Sequence, residues 1–124
     1  MSLLKLALET GDKPEEYVAF DLDGTLAVYD GWKGIEHIGE PIPKAIALVK
    51  AYLKRGDQVR IMTARVASDE PERAAEAASY VQAWCREHIG YELPVTCKKD
   101  PMMRLLYDDR ARQVIQNEGV VVLP

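Results

Sequence analysis

At 124 residues the chain is one domain by size, long enough for a single hydrophobic core and too short for two. Hydrophobic residues make up 48% and charged residues 29%, an ordinary globular mix, and no apolar run approaches the ~18 residues a bilayer span needs, so no membrane association is expected. Sixteen basic against twenty acidic residues leave a net charge of −4, which disfavours broad affinity for nucleic acid while leaving room for a local basic groove.

Residues 1–16 fit a short helix or an edge strand through Leu3, Leu4, Leu6 and Leu8, closed by a turn at Gly11-Asp12-Lys13-Pro14. The apolar start has no basic lead and no small-residue cleavage site, so a cytoplasmic location is expected. Cys85 and Cys97 stand twelve positions apart with no second pair and no histidine cluster, which suggests neither zinc nor a disulfide; both read as small buried hydrophobes.

The first strand runs from Tyr17 to Asp21, an apolar run that ends in Asp21-Leu22-Asp23-Gly24-Thr25. Alternation along an extended chain starts Asp21 and Asp23 on one side, where two oxygen ligands or an acid and a base converge. Residues 27–43, with Asp30-Gly31, Lys33-Gly34 and Gly39, form a loop excursion over those carboxylates. In it Tyr29 and Trp32 either contact a substrate, Trp32 by stacking on a ring, or pin the loop to the surface; His37 is a weaker candidate.

Pro43 opens a helix whose apolar positions Ile46, Leu48, Val49, Tyr52 and Leu53 face the sheet, and Gly56 stops it. Gln58 to Thr63 is a second strand, with Arg60 expected near a rim. Asp21 and Thr63 are 42 positions apart, room for a right-handed strand-helix-strand unit that brings Thr63 to the edge holding Asp21. Arg65 then either clamps a charged substrate or makes a surface ion pair.

Ser68 or Asp69 is expected to cap the next helix, which buries Ala74, Ala77, Ala78, Val81, Trp84 and Cys85, turns Glu72, Arg73, Glu76 and Arg86 outward, and ends before Gly90. A third strand is expected over Leu93 to Cys97, followed by Lys98-Lys99-Asp100-Pro101. Arg104 to Tyr107 repeats the opening design and ends in Asp108-Asp109. Only nine positions separate Lys99 from Asp108, too few for a helical crossover, so either the return is very tight or the third strand is misplaced. A short helix through Val114 and Ile115 and a last strand over Gly119 to Leu123 would close the sheet.

Asp21-Leu22-Asp23-Gly24-Thr25, Thr63-Ala64-Arg65, Lys99 and Asp108-Asp109, in this order, resemble the four motifs of the haloacid dehalogenase-like hydrolase superfamily. The resemblance implies a three-layer Rossmann-like α/β sandwich with a mainly parallel sheet, here in a small member with no separate cap domain and an open site. It implies a Mg²⁺-dependent phosphatase in which Asp21 attacks phosphorus to form an aspartyl-phosphate while Asp23 serves as acid and then base. Thr63 and Lys99, or Lys98 in its place, would hold the phosphate. Asp21 and Asp108, Asp109 as alternate or helper, and Asp23 through its backbone carbonyl would hold Mg²⁺. The expected substrate is a nucleotide or other small phosphate ester, with Arg65 and Trp32 as further contacts. The alternatives are a phosphatase of nucleic-acid 3′-phosphate ends, suggested by Arg65, Arg104, Arg110 and Arg112, a phosphotransferase, and a binding module without turnover.

Overall fold

The structure, a computed structural model, describes residues 15–124; the ambiguous stretch ahead of Glu15 lies outside the described residues. At its centre is β1 (Tyr17–Asp21), buried from Tyr17 to Phe20 as a continuous apolar run demands of a strand covered on both faces. β2 (Gln58–Met62) pairs along one side of it, from Tyr17↔Gln58 to Asp21↔Met62. β3 (Val95–Thr96) lies beyond β2, and β4 (Met103–Tyr107) flanks the other side of β1, so that the order is β3-β2-β1-β4 with every pair parallel. The architecture is a Rossmann-like α/β sandwich, and the C-terminal ends of its strands form the edge where such sheets do chemistry.

The steps from β1 to β2 and from β2 to β3 run the same way along the sheet, so right-handed crossovers put both helices on one face. There α1 (Pro43–Arg55) contributes Ile46, Val49 and Tyr52, and α2 (Pro71–His88) contributes Val81, Trp84 and Cys85, to a core shared with Val18, Phe20, Val59 and Ile61. Tyr107 stacks on Phe20 at 4.6 Å between ring centroids, and its hydroxyl lies 2.7 Å from that of Tyr52, which ties α1 to β4. Glu70 occupies the N-cap of α2 without a side-chain bond; Ser68 instead accepts from the Glu70 N–H and shapes the turn ahead of the helix. Cys85 is buried, its thiol pushed up to about 12 by burial, while Cys97 is half-buried; both are free thiols.

The return from β3 to β4 resolves the alternative left by the short Lys99-to-Asp108 spacing: the third strand exists, at two residues, and the return is tight. Residues 97–102 must cross three strand spacings and descend the height of β1, a diagonal of roughly 20 Å against a reach of roughly 23–25 Å. They run over the second face of the sheet and close on a turn in which the Met103 N–H donates to the Asp100 carbonyl at 3.1 Å. Asp100 pairs there with Arg60 at 3.6 Å, the Arg60 guanidinium lies 3.9 Å from the Tyr17 ring centroid, and the Tyr17 N–H donates to the Met102 carbonyl at 3.0 Å. Arg60 thus occupies the strapped face, stacked on an aromatic ring.

At the C-terminus the structure differs from the expected helix and sheet-closing strand. β5 (Gln113–Val114) and β6 (Val121–Val122) pair antiparallel in a hairpin of their own, exposed to solvent. Asn117 at φ 64° and Gly119 at φ 71° adopt left-handed backbone in the connection, which folds the valine-rich segment back on itself. No described helix is long and apolar enough to cross a membrane.

Candidate active site

The chain turns as soon as β1 ends. The Leu22 carbonyl accepts from the N–H groups of Thr25, Leu26 and Ala27 at 3.2, 2.9 and 3.0 Å, and Gly24 takes φ 90°. This turn pushes Thr25 against the end of β4. Its hydroxyl accepts from the Asp109 N–H at 3.0 Å and stands 3.0 Å from Asp109 Oδ1 and 3.4 Å from Asp21 Oδ2, to either of which it donates. Asp21, Asp108 and Asp109 each present an oxygen to a space in which these atoms lie within 4.8 Å of one another.

Burial, and after it the neighbouring carboxylates of Asp109 and Asp108, push the Asp21 carboxyl up to about 7 from its ordinary 3.8. Three carboxylates so placed crowd negative charge that an oxygen-seeking divalent cation would relieve, and their all-oxygen donor set suits Mg²⁺, which takes one or two carboxylates and fills its other positions with water and substrate oxygens. The cluster fits such a cation on both counts.

Asp23 faces elsewhere. Arg65 Nε and Nη2 bind its two oxygens at 2.8 and 2.9 Å, so its carboxylate is turned from the Asp21 cluster and would serve a cation there only through other atoms of the residue. Arg65 is nearly buried, its side chain 4% exposed, and its remaining N–H groups go to the carbonyls of Gly34, Ile35 and His37 at 3.5, 3.2 and 2.9 Å. All five donors are occupied. Of the two readings of Arg65, neither a free substrate clamp nor a solvated surface pair describes this guanidinium; it fastens the loop to Asp23. The central carbon of the same group lies over the Trp32 ring, 4.9 Å from its centroid.

The base of the loop is closed independently. Ala27 bridges Pro41 in antiparallel fashion, Val28 N–H donates to Glu40 O at 2.8 Å and Ile42 N–H to Leu26 O at 2.7 Å. Trp84 reaches out of the core to donate from Nε1 to Gly39 O at 3.0 Å. Residues 29–37 are thereby held over a cleft of about 740 Å³ lined by Asp21, Asp23, Thr63, Arg65 and, on its outer wall, Tyr29 and Trp32.

Thr63, 2% exposed, ends β2 in this cleft, and its Oγ1 accepts from the Arg65 N–H at 3.1 Å, which opens the single 3₁₀ turn over Ala64–Val66. Lys98 and Lys99 are exposed and stand outside the residues that line the cleft, and the Lys98 N–H donates to Thr96 Oγ1 at 3.0 Å as the strap departs. Arg73 and Arg110 line it instead. Arg110 follows the acidic pair directly and its N–H donates to Asp108 Oδ1 at 2.9 Å. Arg73 was legible only as an outward residue of α2; the start of that helix forms the cleft rim, so its outward side at this point faces the site.

No family model matches the chain, and no curated protein matches it significantly. Among solved structures it is similar to a conserved protein of Bacteroides thetaiotaomicron, at 27% identity and a TM-score of 0.52, over 77% of this chain and 76% of that one.

Proposed function

We propose that this protein is a Mg²⁺-dependent phosphomonoesterase. The observation that carries the reading is the convergence of Asp21, Asp108 and Asp109 within 4.8 Å of one another at a cleft lined by Asp21, Asp23 and Thr63. Asp21, Asp108 and Asp109 would hold Mg²⁺, which neutralises charge on a transferring phosphoryl group. Asp21, at the end of a buried strand, directs an oxygen at phosphorus and takes the phosphoryl group as an aspartyl-phosphate. Asp23, whose oxygens each keep a lone pair beside the Arg65 fork, would take a proton from the water that hydrolyses the acyl phosphate and return it to the departing oxygen of the next ester. Thr63 offers its hydroxyl proton to a phosphoryl oxygen while its lone pair receives the Arg65 N–H. Arg110, whose side chain has no ion-pair partner among the described residues, supplies positive charge at the mouth.

The test is phosphate release from a panel of nucleotides, sugar phosphates and end-phosphorylated oligonucleotides, with EDTA and Asp21→Asn as controls. Release that requires Mg²⁺ and disappears in Asp21→Asn is the expected result; no Mg²⁺-dependent release from any ester overturns the reading.

A further inference from the structure

The geometry points to an aromatic shelf formed by Trp32 and Tyr29 that takes the planar base of a mononucleotide, an inference that rests on the phosphomonoesterase reading and names its substrate class. The two side chains are 56% and 50% exposed, yet both line the cleft that holds Asp21 and Asp23. An indole half in solvent gains little for the core, and the Arg65 guanidinium is packed against it. The Arg65 guanidinium lies against it at 4.9 Å while binding both oxygens of Asp23. One nearly buried group therefore bridges the indole and the carboxylate that would protonate the leaving oxygen. A leaving group stacked on Trp32 is thereby registered to its proton donor, whereas an acyclic or sugar leaving group finds no partner for the ring.

The size and charge of the cleft favour a mononucleotide over a nucleic-acid end. A volume of about 740 Å³ lies in the range of small-molecule sites. Its unpaired cations among the described residues are Arg73 and Arg110, set beside the acidic Asp69 and Glu70, which is not a track for a polyanion.

Base–aromatic stacking supports a preference of about tenfold or more. Two measurements read it. The chain has two tryptophans, and Trp84 is 7% exposed, so fluorescence quenching on titration reports Trp32. With Mg²⁺ and Asp21→Asn to prevent turnover, AMP is expected to quench, ribose 5-phosphate is not, and Trp32→Ala in that background removes the response. In steady state, kcat/KM for AMP over that for ribose 5-phosphate is expected to exceed ten, to fall about tenfold in Trp32→Ala, and to recover in Trp32→Phe. Equal quenching by the two esters, a ratio near one, or a ratio unchanged in Trp32→Ala overturns the shelf while leaving the phosphatase standing. AMP quenching without phosphate release from any ester supports the shelf and overturns the reaction. A 3′-phosphorylated oligonucleotide preferred over AMP overturns the mononucleotide assignment.

Discussion

Gly24 and Asp109 are packed so closely that a Cβ on Gly24 would stand 2.6 Å from Asp109 Oδ2. The absence of a side chain at this one position lets the turn after β1 press Thr25 against the acids at the end of β4. Gly24→Ala is expected to be doubly unfavourable, since φ 90° strains any L side chain and the methyl displaces the carboxylate. The expected outcome is a stability loss of about 1–3 kcal/mol by denaturant titration and a fall of more than tenfold in Mg²⁺ affinity by isothermal titration calorimetry.

Asp21 governs how the metal-free protein responds to pH. Its carboxyl sits near 7 in the folded chain against 3.8 ordinarily, so the folded state binds this proton more tightly than the unfolded state. The stabilisation is full below pH ~4 and is lost as pH rises through 7. In EDTA the Tm should therefore decline from pH 5 to pH 8, and Asp21→Asn should flatten that decline. Mg²⁺ at pH 8 should raise the Tm of the parent and have less effect on the variant. A parent Tm that rises with pH in EDTA would contradict the placement of these acids.

Arg65→Lys is expected to behave as a severe change. A lysine carries no planar fork, so it cannot bind both Asp23 oxygens while reaching the Gly34, Ile35 and His37 carbonyls. Misplacing the proton donor by about an ångström costs on the order of 10² in rate. The expected signature is a fall in kcat larger than the rise in KM, together with a changed alkaline limb of the pH–rate profile.

Arg110→Ala and Lys99→Ala distinguish two ways of holding the phosphate. Arg110 lines the cleft whereas Lys99 stands outside its lining, so the arginine variant should show the larger rise in KM for the ester and in Ki for inorganic phosphate, roughly tenfold. The reverse order would restore the lysine to the role that its place in the sequence suggests.

What the sequence makes legible here follows period and order. The parallel strands, both helices and the meeting of Asp21 with Asp108 and Asp109 could be read because an apolar run ending in acids occurs twice, and helical crossovers have one hand. The destination of Asp23 could not be read. Alternation put it beside Asp21, but the chain leaves the extended form at Leu22, and an arginine 42 positions on takes the carboxylate. Nor could the C-terminal hairpin. Val120, Val121 and Val122 have the composition of a buried strand, and the left-handed backbone at Asn117, which no spacing rule marks, turns them back onto Gln113 and Val114.

The strap of residues 97–102 crosses the sheet and closes on the Asp100–Met103 turn, and this sets how the chain meets shortening. Deleting one residue from it is met by opening that turn or by straightening the irregularity at Arg104, and a loss that outruns both passes into β4 as a slide of one step along β1. Because strand faces alternate, that slide turns Leu105 and Tyr107 out of the interior, separates the Tyr107 ring from Phe20, and drags Asp108 below the level of Asp21. The six-residue tether on the far side of the sheet, its turn and the irregularity at Arg104 together set the height at which two distant acids meet.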